Sequence, residues 1–183
     1  KLWLGFYFLM LRSHEDAKST GEAMLNFAAS RRMASFAAWG RWIFAAGLIV
    51  EGKRYEDGIR MLDQSMTELD PLGVQLFRPA MLCCKGEALM KLGKSEEAQK
   101  TISDGLRITK ENAENLYLPE LHRHRAALCE SLEDTEIALR ESIEVAQNQD
   151  AKLLEIRSAT DLANNLIAQN KLESARKLVA DYC

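Results

Sequence analysis

Two stretches of similar sequence decide the fold: "EGKRYEDGIRML" at residues 51–62 and "LGKSEEAQKTI" at residues 92–102. In each, an apolar helical segment is followed by Gly-Lys, a short acidic turn and a small residue that begins another helical segment. The two small residues, Gly58 and Ala98, lie 40 residues apart. A turn that recurs at this spacing predicts that the chain repeats one structural unit.

A similar spacing, between 37 and 41 residues, continues on both sides of these stretches. Small residues take the corresponding place at Ala17 in "SHEDAKS", Ala138 in "LEDTEIALRES" and Ala175 in "NKLESARKLV". Pro79 in "LFRPAMLCCKG" and Pro119 in "LYLPELHRHRA" are also 40 residues apart. We expect both prolines at the start of a helix, where the missing N–H costs little.

Helical periodicity covers almost every segment, and alternating strand patterns and hairpin turns are missing from the sequence. Five units of about 40 residues, each made of two antiparallel helices, predict an all-α solenoid. We expect one domain over residues 1–183, with a small residue letting the second helix of each pair approach the first closely. The predicted pairs are 2–12 with 15–31, 34–51 with 55–69, 74–92 with 95–110, 115–131 with 134–148, and 151–169 with 171–182.

Composition limits the function classes. The chain has a formal net charge of −3 and no basic stripe, which argues against nucleic acid as a partner. The apolar run Leu2–Leu11 is about half the length of a membrane span, so we expect no membrane segment. Because the chain begins at Lys1 inside this run, we expect a fragment of a longer protein with a truncated first repeat. Four cysteines without zinc-type spacing favour a reduced, cytoplasmic setting.

The segment "GEALMKLGKSEEA" (86–98) resembles a tetratricopeptide (TPR) repeat, with Gly in the first helix, Gly at the turn, an acidic pair and then Ala. The resemblance implies a right-handed superhelix that binds proteins. The period of about 40 is longer than the usual 34 and implies longer helices.

A more specific resemblance rests on "ELHRHRAAL" (120–128) and "AKLLEIRSATDLANNLIAQNKLESARKLVADYC" (151–183), supported by "WGRW" (39–42) and "GVQLFRPAML" (73–82). These segments are similar to the C-terminal repeat region of large bacterial signalling ATPases of the adenylate-cyclase-like and maltose-regulon-activator-like type. Such proteins carry a nucleotide-cyclase or DNA-binding effector domain, an ATPase domain and then helical repeats. The resemblance implies a regulatory role in signal transduction or transcription.

Three short motifs could suggest chemistry but have a structural interpretation. "LGKS" (92–95) lacks the first glycine of a phosphate loop, where Ala88 stands, and follows a helix, so we interpret it as a turn. His122 and His124 would point about 200° apart on a helix and cannot readily share a metal. We expect His122 to be partly buried and His124 to be peripheral. Neighbouring Cys83 and Cys84 would also diverge. We therefore predict no cofactor, no metal and no enzyme activity.

The remaining candidate is a binding surface. The TPR resemblance implies that the first helix of each pair lines a concave groove suited to a peptide, a helix or a neighbouring domain. The predicted groove residues are Trp39, Trp42, Glu87, Met90, Arg123, Arg157 and Asn164. For Trp39 and Trp42 the alternative is a place in the core between repeats. We expect Arg123→Ala and Arg157→Ala to weaken binding of an acidic partner with little loss of stability.

Two functions remain open. The first is a non-catalytic module that binds a protein partner or the upstream domains of its own polypeptide, with a homodimer as a further possibility. The second is a solenoid that binds a small effector and regulates an upstream ATPase, cyclase or DNA-binding domain.

Overall fold

The computed structural model describes residues 1–182, which form ten α-helices and no strand. The all-α class is therefore confirmed, as are the number and order of the helices. The helices are α1 (Leu2–Met10), α2 (His14–Arg31), α3 (Ala34–Glu51), α4 (Tyr55–Leu69), α5 (Arg78–Lys91), α6 (Ser95–Asn112), α7 (Leu118–Ala126), α8 (Leu132–Asn148), α9 (Lys152–Ala168) and α10 (Leu172–Ala180).

The helix bounds agree with the predicted ones at α3 and α4 and differ most at α5 and α7. α5 begins only at Arg78, because Phe77 has a left-handed backbone (φ 66°) that a helix cannot continue through. α7 begins at Leu118 after a 3-10 turn. Pro79 and Pro119 each lie in the first turn of their helix, which confirms their predicted role.

α7 ends at Ala126, five residues earlier than predicted. The next residues form a tight turn, in which the Leu128 N–H donates to the Arg125 carbonyl at 3.0 Å. The backbone N–H of Asp134 then donates to Ser131 Oγ at 3.0 Å, and this cap starts α8. The "LGKS" stretch forms the turn between α5 and α6, with Gly93 in a left-handed conformation (φ 72°).

The five small residues of the sequence pattern are all buried. Four of them are the fourth residue of their helix: Ala17 in α2, Gly58 in α4, Ala98 in α6 and Ala175 in α10. Ala138 is the seventh residue of α8 because that helix begins one turn earlier. Within the two units, the small side chains of α2, α4, α8 and α10 let these helices pack closely on their paired helices, as the sequence pattern requires.

The chain divides into two compact units, Lys1–Lys94 with α1 to α5 and Ser95–Cys183 with α6 to α10. In unit 1, α2 and α3 approach so closely that a Cβ on Gly21 would lie 2.7 Å from the Gly40 carbonyl oxygen and 2.6 Å from the Phe44 nitrogen. Within each unit, the connections of the pairs α1–α2, α3–α4, α7–α8 and α9–α10 have only a few residues, so these paired helices are antiparallel. The prediction of one domain over residues 1–183 stays a prediction.

Unit 2 has a core of its own, formed by α7, α8, α9 and α10. A buried hydrogen-bond chain crosses it, in which Ser142 Oγ donates to the Pro119 carbonyl at 2.7 Å and lies 2.6 Å from Ser158 Oγ. The apolar members of this core are Ala126, Ala138, Leu139, Ile143, Ala159, Leu162, Leu166 and Ala175.

Candidate functional site

Trp42 lies in the core of unit 1 rather than on a binding surface. Its side chain is 0% exposed and stacks on Phe77, with ring centroids 5.1 Å apart. The prediction of Trp42 as a groove residue is thereby corrected, because a side chain with no exposed area cannot contact a partner. The aromatic ring lies in a cluster that also contains Phe6.

Trp39 is half-buried at the edge of the same cluster. Its ring lies 5.5 Å from Phe36 and 6.4 Å from Phe77, edge-on in both cases. Among residues 1–182, no hydrogen-bond acceptor meets the indole N–H of Trp39 or of Trp42. Trp39 therefore serves mainly to pack against this cluster and is only partly accessible.

Glu87 and Met90 lie on α5 and are both partly exposed. Both guanidinium nitrogens of Arg12 donate to the Glu87 carboxylate, at 2.5 and 3.1 Å. Glu87 is thus held by the connection between α1 and α2. On the surface of α5, Glu87 is therefore a polar residue and Met90 an apolar one.

In unit 2, α7 and α9 bring the predicted residues Arg123 and Arg157 onto one carboxylate, that of Glu120. Arg123 makes two hydrogen bonds to Glu120, at 2.8 and 3.2 Å, and Arg157 Nη1 lies 3.6 Å from it. Glu120 is 4% exposed, whereas the side chains of Arg123 and Arg157 are about one fifth exposed. The carboxylate is therefore a buried support that carries two partly exposed arginines.

Asp161 completes this arrangement from α9. Its carboxylate accepts a hydrogen bond of 3.0 Å from Arg123 Nη1. Asn164, the third predicted residue in this unit, lies one turn further along α9 and is exposed. We name the set Glu120, Arg123, Arg157, Asp161 and Asn164 the α7/α9 face.

The electrostatics of the α7/α9 face follow from this geometry. Burial alone would raise the pKa of Glu120, but Arg123, His124 and Arg157 outweigh it and lower that pKa to about 2. Burial opposes the charge of Arg123, yet Glu120 and Asp161 raise its pKa above the ordinary value. Both groups therefore stay charged over the whole physiological pH range.

His122 is partly buried, as expected, whereas the expectation of a peripheral His124 is wrong. His124 is 5% exposed, and its Nε2 lies 3.3 Å from Arg123 Nη2, so it is not peripheral. His122 is partly exposed, with Nδ1 3.1 Å from a Glu141 carboxylate oxygen. Burial and then Arg125 lower the pKa of His122.

Sequence reasoning missed Asp161 and Glu155 as members of charged clusters. Asp161 could have been found from its spacing, because it lies four residues after Arg157 and therefore on the same side of one helix. Glu155 is 2% exposed and accepts hydrogen bonds from Lys152 (2.7 Å), Gln147 (2.9 Å) and Tyr182 (3.0 Å). No local pattern indicates that burial, since it depends on how α8 and α10 pack.

A cavity of about 580 Å³ opens beside Glu155 between α8, α9 and α10. Its floor is apolar, from Ile143, Leu162 and Leu178, and its rim is charged. The hydrogen bond from Lys152 lowers the pKa of Glu155 and outweighs burial, which acts to raise it. Burial and the bond to Glu155 raise the pKa of Tyr182 to about 12.

Comparison of the sequence with protein-family models gives no match, and comparison with curated proteins gives none. Within residues 1–182, no helix combines the length and the apolar character needed to cross a membrane. The same residues contain no group of three or more His, Cys, Asp or Glu placed to hold a metal ion.

Proposed function

We propose that the chain is a TPR-like α-solenoid, a right-handed helical-repeat module without catalytic activity. It binds a protein partner or the upstream domains of its own polypeptide in a bacterial signalling or regulatory protein. The antiparallel helix pairs and the buried small residue near the start of each second helix support the repeat. The resemblance to bacterial signalling ATPases supports the regulatory role.

The observation that carries this proposal is the α7/α9 face. Arg123 and Arg157 pair with Glu120 while about one fifth of each side chain stays exposed, and Asn164 on α9 is exposed as well. An arginine that is already ordered loses little side-chain entropy when a partner binds. The face can therefore hydrogen bond to carboxylates and carbonyls of an extended or helical protein segment.

The test combines capture with direct measurement. Proteins retained from a bacterial lysate by the immobilised module would be identified, purified and titrated against it. We expect Arg157→Ala with Asn164→Ala to raise Kd at least about tenfold, as loss of one or two good contacts does. Arg176→Ala is the matched control, because Arg176 is an exposed arginine of the same unit that pairs with the exposed Glu173. Equal Kd values for the two variants would refute the α7/α9 face as the binding surface.

A small-effector module is the second candidate, favoured by the cavity beside Glu155. Its volume lies within the range of about 300–1,000 Å³ that is usual for small-molecule sites. A thermal-shift screen of metabolites, run beside sizing at several protein concentrations, separates the two candidates. A higher midpoint at constant size supports the effector site. A size that rises with protein concentration, without any metabolite effect, supports self-association.

A further inference from the structure

The arginines of the described residues fall into two groups. Arg31 and Arg32, at the end of α2, are exposed and lie within ion-pair distance of no carboxylate in residues 1–182. Every other arginine there pairs with at least one: Arg12, Arg41, Arg54, Arg60, Arg78, Arg107, Arg123, Arg125, Arg140, Arg157 and Arg176. Two neighbouring arginines thus keep their charge available for another molecule.

An exposed aromatic ring lies beside these arginines. Phe27, one turn before Arg31 on α2, is 46% exposed, and the Arg31 guanidinium carbon lies 5.6 Å from its ring centre. The stretch 26–36, "NFAASRRMASF", contains no acidic residue. A cation near a helix C-terminus is favourable by itself and accounts for one of the arginines. It does not account for a second arginine or for the exposed ring.

The backbone of Arg32 is the second unusual feature. Arg32 has φ 54°, a left-handed conformation that favours glycine or asparagine at the end of a helix. Two other non-glycine residues of unit 1 share this conformation, and each has a clear contact. Arg12 binds Glu87, and Phe77 stacks on Trp42. For Arg32, no such contact offsets the strain.

We propose that the C-terminal end of α2 formed by Phe27, Arg31 and Arg32, the Arg31–Arg32 surface, binds an acidic protein segment. Carboxylates of the segment pair with the two arginines, and an apolar side chain covers Phe27. Arginine and aromatic side chains are the residues most enriched where protein partners bind tightly. Nucleic acid is disfavoured because it needs a broad basic surface, and this chain has a net charge of −3. The inference concerns a surface other than the α7/α9 face and does not depend on it.

The probe is a fluorescently labelled acetyl-EFEELEEL peptide, titrated with the full chain at about 50 mM salt and followed by anisotropy. We expect a Kd below about 1 mM, and an increase of at least about tenfold for Arg31→Ala with Arg32→Ala. Arg60→Ala is the control, because Arg60 is an exposed arginine of the same unit that pairs with Asp57. Its Kd should stay within about twofold of the wild-type value.

Arg32→Gly separates binding from folding. Glycine accepts the left-handed backbone, so this variant should melt about 2 °C higher while it binds the peptide more weakly. A Kd above 1 mM, or equal binding of wild type and the double variant, would overturn the proposal. So would equal binding of a peptide with Gln in place of Glu. If a 12-nucleotide single strand binds more tightly than the peptide and loses binding in the double variant, the surface belongs to nucleic acid and the proposal fails.

Discussion

Glu120 and Arg123 show how a residue expected on a surface can serve the fold. The Glu120 carboxylate is 4% exposed, and Arg123 provides two of its hydrogen bonds. A buried charge that loses its partner is costly, whereas the same pair at a surface contributes little. The contacts therefore argue against the expectation that Arg123→Ala costs little stability.

We expect Arg123→Ala to lower the free energy of unfolding by about 3 kcal/mol, because it leaves the Glu120 carboxylate buried without its main partner. Urea unfolding followed by circular dichroism measures the change. Arg176→Ala, at an exposed pair, should cost less than about 0.5 kcal/mol. Adding Glu120→Ala to Arg123→Ala should restore part of the loss. If the double variant were less stable by the full sum, the buried-charge explanation would be wrong.

The low pKa of Glu120 makes stability depend on pH. The folded-state pKa, about 2, lies below the ordinary value of 4.5. The contribution of Glu120 is therefore fully present above pH 4.5 and is lost as the pH falls from 4.5 towards 2. Relative to Glu120→Gln, the wild type should lose about 3 kcal/mol of its unfolding free energy between pH 5 and pH 2. Urea unfolding of both proteins at four pH values gives the comparison, and a pH-independent difference would contradict the assignment.

The sequence predicted part of the α7/α9 face and missed the rest for a physical reason. The repeat register identified Arg123, Arg157 and Asn164 as neighbours on first helices. It could not show that Glu120 lies beneath the arginines, since burial depends on the packing of α7 against α8 and α9. For the same reason His124 was expected at the periphery.

At the scale of elements, α2 and α3 are held together by glycines. A Cβ on Gly21 would meet backbone atoms of α3 within 2.8 Å, and backbone cannot move aside as a flexible side chain can. The close approach leaves no room for a side chain, so glycine occupies this position although it forms helices less readily than alanine. The separation of these two helices is therefore sensitive to a single methyl group.

We expect Gly21→Ala to lower the free energy of unfolding by about 1–3 kcal/mol, even though alanine is the better helix former. Thermal unfolding followed by circular dichroism provides the measurement. Ser19→Ala, at an exposed position of the same helix, should change stability by less than about 0.5 kcal/mol. A Gly21→Ala protein as stable as the wild type would mean that the two helices are further apart than described.

The bounds of helices were predictable where the turn chemistry is local. Gly52 ends α3 in a left-handed conformation, and α3 and α4 have the predicted bounds. α7 ends five residues early, although its helical pattern continues, because the Ser131 cap begins α8. A cap and a continuing helical pattern compete there, and only the packed structure decides between them.

At the scale of the whole molecule, the chain contains two compact units, and unit 2 has a core of its own. We expect a fragment of residues 95–183 to fold alone, with a helical circular dichroism spectrum and a cooperative thermal transition. A fragment of residues 127–183 lacks α7, which supplies Glu120 and Ala126 to that unit, and should show no cooperative transition. A 95–183 fragment that is unfolded at 20 °C would contradict the division.

All three tryptophans lie in unit 1, at positions 3, 39 and 42. The indole of Trp42 is sealed from water beside Phe77, so its emission should shift to longer wavelength when unit 1 opens. Circular dichroism follows the helices of both units, whereas tryptophan emission follows unit 1 only. The native chain thus carries an intrinsic optical reporter, and a difference between the two unfolding curves would measure how strongly the two units unfold as one.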